Sequence, residues 1–236
     1  MFPSVDPLAS PAARPALPAL SRLLPSAVSP IDAPAARRTA TAWRLARMMP
    51  RLEPLCPGDA GRDELETFIA RVFLERYGAR TTHFAERLLG LRGGDGRWCA
   101  ALGYTRGGSS PLFVEHYLDQ PVEQVVAAAL QEPVARDSFA EVGNLAASAD
   151  GLGRLLIALS TVHLFEQGVQ HVVFTATRAL SNAFTRLGVP LADIGAADPG
   201  RVPGGEAQWG DYYRHDPRIL AGRVASGMPV AGQLPD

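Results

Sequence analysis

SFAEVGNLAASADGLGRLLIALSTVHLFEQGVQHVVFTATRALSNAFTRLG, residues 138 to 188, decides the fold. It reads as a strand (Ser138 to Ser148), a glycine turn (Ala149 to Gly153), a helix opening at Arg154, a strand (His171 to Ala176) and a second helix (Thr177 to Gly188). A strand that passes through glycines into a helix aims free backbone N–H groups at whatever lies above the helix start. That arrangement favours an anion, typically a phosphate.

The spacing narrows the reading. Ser148, Gly151 and Gly153 occupy the places of the acyl-CoA-binding turn of the GNAT acyltransferase superfamily, in which Arg or Gln is followed by two residues, Gly, one residue, and Gly or Ala. The glycines match, and Ser148 replaces the Arg or Gln. Downstream, the second helix carries Asn182 and closes on Arg186 to Gly188, similar to the asparagine helix of the same superfamily. The resemblance implies an α/β (α+β), GNAT-like acyltransferase fold: a central mixed, twisted sheet flanked by helices.

The bounds agree with a folded enzyme-sized domain. The chain has 236 residues, is 47% hydrophobic and carries a formal charge of −1, so it has core enough for one domain and no overall basic field to gather nucleic acid. All 23 basic residues are arginine, which removes the lysine of a P-loop, of a Schiff base and of a pyridoxal-phosphate anchor. Cys56 and Cys99 alone make neither a disulfide framework nor a cysteine zinc site. The five histidines form no H-x-x-x-H or H-E-x-x-H pair and no G-x-S-x-G turn follows a strand, so neither a metal site nor a serine hydrolase is expected.

Residues 1–50 are rich in Pro, Ala and Arg and read as a flexible, locally basic, disordered arm, with a short amphipathic helix allowed at Thr41 to Met49. Residues 51–236 read as the domain. The opening residues lack a signal peptide, and the most apolar helix falls short of the roughly 20 residues that cross a bilayer. A cytoplasmic location is expected. Gly61 to Ala79 places Leu65, Phe68, Ile69, Val72 and Phe73 on one helical face. Trp98 to Gly108 reads as a strand between glycine turns, and a helix begins near Pro121. Arg80 to Gly96 joins the helix ending at Ala79 to the strand opening at Trp98. The tail after Val189 shows Pro and Gly clusters around one polar-aromatic knot, Gln208 to Arg218, whose Trp209, Tyr212 and Tyr213 either line a pocket or cover the sheet edge.

The blocks FIARVF, FVEHYLD, EVGNLA, VFTAT and WGDYY, in this order between about Leu52 and Arg223, resemble the bacterial thermostable hemolysin family. That resemblance implies a GNAT-like fold near the acyl-homoserine-lactone synthases, while the family's name implies haemolysis. The synthases carry Glu-x-x-Arg before the turn; here the Glu is Glu141 and the Arg has become Asn144. The acidic lid positions of the synthases have no counterpart, which speaks against S-adenosylmethionine. The superfamily's general-acid tyrosine is Phe184 here.

The reading is an N-acyltransferase that moves an acyl group, long-chain on the synthase resemblance, from acyl-CoA or acyl-carrier-protein phosphopantetheine to a small amine. Acyl carrier protein is the expected macromolecular partner, and no bound cofactor or metal is expected. A carboxylate within a central strand must be paired or face a polar cleft, so Glu141 is either the general base or a salt-bridge partner of an arginine. Asn144, Glu115 and His116, with Asp119 close by, complete the catalytic candidates. The donor candidates are the backbone at Leu145, Ala146 and Ala147 for the thioester carbonyl, and Ser148, Gly151, Gly153, Arg154 and Asn182 for the phosphate arm. Two other readings stay open: a membrane-active haemolytic protein, and an acyl-binding relic without turnover.

Overall fold

A computed structural model describes residues 52–109, 111–149 and 151–232. The expected N-terminal arm, including Thr41 to Met49, lies outside these residues. Along the chain the elements are β1 (Leu52–Leu55), α1 (Arg62–Tyr77), β2 (Arg87–Arg92), β3 (Trp98–Arg106), α2 (Val122–Leu130), β4 (Phe139–Ala147), α3 (Leu152–Glu166), β5 (His171–Ala176), α4 (Arg178–Arg186), β6 (Ala192–Ala196), α5 (Gly205–Trp209), β7 (Arg218–Arg223) and α6 (Val224–Ala231). The strands form one seven-stranded sheet in the order β1-β2-β3-β4-β5-β7-β6. Only β4 and β5 run parallel, and α3 is the crossover between them, as a parallel pair requires.

Helices cover both faces. On one, Leu65, Phe68, Ile69 and Phe73 of α1 pack on Leu88, Ala101 and Ala146. On the other, Leu156 and Leu164 of α3 pack on Leu89, Leu91, Ala100 and Tyr104. This two-sided cover hides a strand. Arg80 to Gly96 is not all connection, because its second half is β2, whose Leu88, Leu89 and Leu91 are all fully buried. A strand covered on both faces shows no apolar/polar alternation. Gly90 is needed within it, since a Cβ there would strike the Trp98 ring at 2.5 Å. The tail is likewise more regular than its composition indicates: β7 lies between β5 and β6, with Ile219, Leu220 and Ala221 buried.

One irregularity positions the site. The β3–β4 register passes from Ala101↔Ala146 to Gly103↔Gly143, two steps along β3 against three along β4. The extra residue is accommodated at Asn144, which adopts φ 52°, a conformation that Asn tolerates better than most residues. A bulge of this kind bends its strand and strengthens the local twist.

Candidate active site

The parallel pairing of β4 with β5 stops at Val142↔Phe174, yet β4 continues to Ala147 and β5 to Ala176. The strands splay from the bulge onward, and the β5-facing side of residues 143–147 lacks a ladder partner. The Ser148 N–H donates to the Cys99 carbonyl on β3. By the alternation of strand N–H directions, Ala146 points the same way while Leu145 and Ala147 point into the wedge.

A cavity of about 490 Å³ occupies this opening. On the α3 side its wall includes Gly151, Gly153, Arg154, Leu180 and Phe184; on the α1 side it includes Phe113, Tyr117, Glu141, Trp209 and Tyr212. It therefore connects the glycine turn with the carboxylate through the gap in the sheet.

Glu141 is half-buried and lines the cavity. No arginine among the described residues pairs with it; instead its Oε2 accepts the Phe113 N–H at 2.6 Å and its Oε1 the Val114 N–H at 2.9 Å. The carboxyl thus caps the 3-10 turn Phe113–Tyr117. Burial pushes its pKa up to about 7, against the two N–H bonds that favour the charged form and with the nearby Glu115 adding to the rise. A carboxylate poised there is half-ionised near neutrality, the condition that suits a general base.

Other candidates separate into two groups. Asn144, Leu145, Ala147, Ser148, Gly151, Gly153 and Arg154 all line the cavity. Glu115 does not: the Arg136 guanidinium holds it by two bonds of 2.7 and 3.0 Å and, together with a backbone N–H, keeps its carboxyl below the usual range despite partial burial. Arg136 also binds Glu123 and the Gly107 carbonyl, so this cluster fastens the loop before β4. His116 is exposed beside the Phe113 ring, Asp119 pairs with Arg201 at 2.6 Å, Ala146 is buried in the α1 layer, and Asn182 lies on the exposed side of α4. These residues are outside the cavity wall.

Around the turn, Gly151 has φ 90° and starts α3 without a side-chain cap. The N–H groups of Arg154 and Leu155 bond back to the Gly151 carbonyl, which leaves those of Leu152 and Gly153 without an intrahelical acceptor. Nothing lies within 4 Å of where a Cβ on Gly151 or Gly153 would stand, so the space above the turn is open. The Ser148 hydroxyl turns away from it to the Cys99 carbonyl, 3.0 Å off.

Several wall residues carried little or no signal in the sequence. Trp209 and Tyr212 come from the aromatic knot, which turns out to be both pocket and cover: Tyr212 donates to Thr175 Oγ1 on β5 at 3.3 Å, and the Tyr213 hydroxyl meets that of Tyr117 at 2.7 Å. Burial, with the neighbouring Tyr213 hydroxyl, raises the Tyr117 pKa and keeps that hydroxyl protonated. Phe113 stacks on His83, whose pKa is lowered by burial and by His116, so this ring favours its neutral form. The segment bearing His83 is tied down twice. Asn144 accepts the Ala85 N–H at 2.9 Å and donates to the His83 carbonyl at 3.1 Å; the buried Arg62 donates to the carbonyls of Ala85, Glu86 and Leu55.

The sequence pattern of thermostable hemolysins matches residues 55–228. This chain belongs to the thermostable hemolysin family. Among solved structures, the family member resembles the AHL synthase LasI (12% identity, TM-score 0.54, covering 78% of this chain and 94% of LasI). It also resembles BjaI, a CoA-dependent acyl-homoserine lactone synthase solved with SAM and isopentyl-CoA (14%, 0.53, 78% and 87%). A third likeness is to TofI in a ternary complex with an inhibitor and MTA (15%, 0.53, 77% and 96%). At these identities the likeness is one of fold, and the fold is GNAT-like, as the turn and the asparagine helix imply. A comparison with curated protein sequences finds no match. No helix among the described residues is long and apolar enough to cross a membrane.

Proposed function

We propose that this thermostable hemolysin is an N-acyltransferase that moves an acyl group from a pantetheine thioester, on CoA or acyl carrier protein, to a small amine. The observation that carries the reading is the wedge between β4 and β5, with unpaired strand backbone on one side and Glu141 facing the same cavity. A pantetheine arm has amide groups that bond to a strand edge as an added strand does. The Leu145 N–H polarises the thioester carbonyl, and the Ala147 N–H, two residues further along the strand, is left for an amide carbonyl of the arm. The amine attacks the carbonyl carbon, Glu141 takes the proton released as the C–N bond forms, and the C–S bond breaks to release a thiolate that is protonated from water. A thioester needs no covalent enzyme intermediate, so positioning, an oxyanion donor and a base suffice. Phe184 packs on Phe174 and supplies no proton. LasI and BjaI, the latter solved with isopentyl-CoA, lend the fold a precedent for a CoA-borne donor.

The test is mass spectrometry of protein incubated with acyl-CoA or acyl carrier protein thioesters of graded chain length and a pool of amines and amino acids. A new amide is expected, with turnover lowered roughly 10²- to 10⁴-fold in Glu141→Gln. In parallel, dye-loaded liposomes should leak only when donor and acceptor are both supplied. Leakage from the folded protein alone, equal in wild type and Glu141→Gln, would favour direct lysis instead. Donor binding with no product in any combination would favour a binding-only relic.

A further inference from the structure

Position 148, where the acyl-CoA-binding turn carries Arg or Gln, holds a serine whose hydroxyl and N–H both bond to the Cys99 carbonyl. The side chain at this position is therefore not available to a phosphate. Beside it lies a second recess of about 320 Å³, lined by Arg71, Val72, Glu75 and Arg76 of α1 with Ala147 and Ser148 of β4. Arg76 also lines the main cavity, so this residue borders both spaces. Both arginines are exposed, and neither is in an ion pair among the described residues. Each rests near an aromatic ring of its own helix, Arg71 with Cζ 5.7 Å from the Phe68 centroid and Arg76 with Cζ 5.6 Å from that of Tyr77. Ring contacts of this kind restrain the guanidinium plane and leave its N–H fork for a bidentate oxyanion.

Resting on the thioester-donor reading above, we propose that Arg76, seconded by Arg71, recognises the 4′-phosphate of the donor's phosphopantetheine, a part taken in the acyl-CoA-binding turn by the Arg or Gln that this chain lacks. This cation comes from α1 across the strand end, in addition to Arg154, which lines the cavity at the turn. That phosphate is common to coenzyme A and to a carrier-borne arm. The carboxylate of Glu75 in the same recess opposes a second anionic group there, so the 4′-phosphate, and not the nucleotide's other phosphates, is what Arg76 reads.

Calorimetry on the full-length protein with pantetheine, 4′-phosphopantetheine and coenzyme A tests this without an acceptor. Wild type is expected to bind 4′-phosphopantetheine about 10-fold or more tightly than pantetheine, in line with a charge-assisted bond at a half-open site. Arg76→Ala should bring the two within about twofold while leaving pantetheine affinity and the circular dichroism spectrum unchanged, and Arg76→Lys should keep part of the preference as a point charge without the fork. Coenzyme A should weaken in Arg76→Ala by the same factor as 4′-phosphopantetheine. A preference that survives in Arg76→Ala, or a loss confined to coenzyme A, would overturn the assignment. If wild type binds none of the three, the donor reading itself fails and this proposal with it, whereas binding of pantetheine with no phosphate preference would sink only the role of Arg76.

Discussion

Replacing Glu141 by Gln should change how stability depends on pH, and the sign is opposite to that of most carboxylates. The folded pKa is raised from 4.5 to about 7, so the folded state favours the protonated carboxyl. The stabilising effect is complete below the unfolded pKa and is lost as pH rises through 7. A displacement of this size corresponds to about 3 kcal/mol, or a urea midpoint shift of about 1–1.5 M at an ordinary slope. In Glu141→Gln the titration is absent. The amide can accept only one of the Phe113 and Val114 N–H bonds, a pH-independent penalty of about 1–3 kcal/mol. His83 and His163 have pKa values lowered chiefly by burial, which adds stability as pH rises through 6.5; both variants share this contribution, so it cancels in their difference. Glu132, brought down to about 2 mainly by Arg223 and His171, acts only in more acidic solution. Urea titrations of both proteins from pH 5 to 8 should show wild type's advantage shrinking by about 2.5 kcal/mol, part of the effect being already lost at pH 5. A constant difference across that range would refute the buried, partly protonated Glu141 on which its role as base depends.

Gly153→Ala should leave the fold intact or firmer by about 0.5–1 kcal/mol, because a helical Ala replaces Gly in open space. Donor affinity should nevertheless fall if phosphate approaches that backbone, and equal affinity by calorimetry would remove Gly153 from the site. Asn144→Ala removes both bonds to the His83–Ala85 segment, so a loss of about 1–3 kcal/mol is expected, with faster amide exchange at Ala85 as its local signature. Arg62→Met should cost about 3 kcal/mol or more in thermal or urea unfolding, since the carbonyls of Leu55, Ala85 and Glu86 lose a buried donor.

The strand-turn-helix-strand-helix order of residues 138 to 188 was legible because each element has its own local signature: short apolar runs, glycine punctuation and helical apolar spacing. Glu141 was also legible, since a charge inside a strand demands an explanation, although its partners proved to be backbone N–H groups from 27 and 28 residues earlier. Glu115 was misleading for a physical reason. Its neighbours in sequence are acidic and aromatic, but Arg136, which neutralises it, lies 21 residues away and is brought close only by folding. Tyr117, Phe113 and Arg76 carried no local signal of a site, as their place in the wall depends on how α1 and the 3-10 turn pack over the wedge. β2 and β7 escaped because burial on both faces erases the period that marks a strand.

The bulge at Asn144 is a matter of chain length as much as of side-chain identity. Val142 and Leu145 both belong to the α3 layer, with Gly143 and Asn144 between them, so the strand holds one residue more than simple alternation requires. Excising that residue would keep each neighbour in its own layer and let the strand run straight toward β5. The residues on either side of the bulge keep their layers while the number of steps between them is odd, and the β4–β5 ladder ends beside that extra residue.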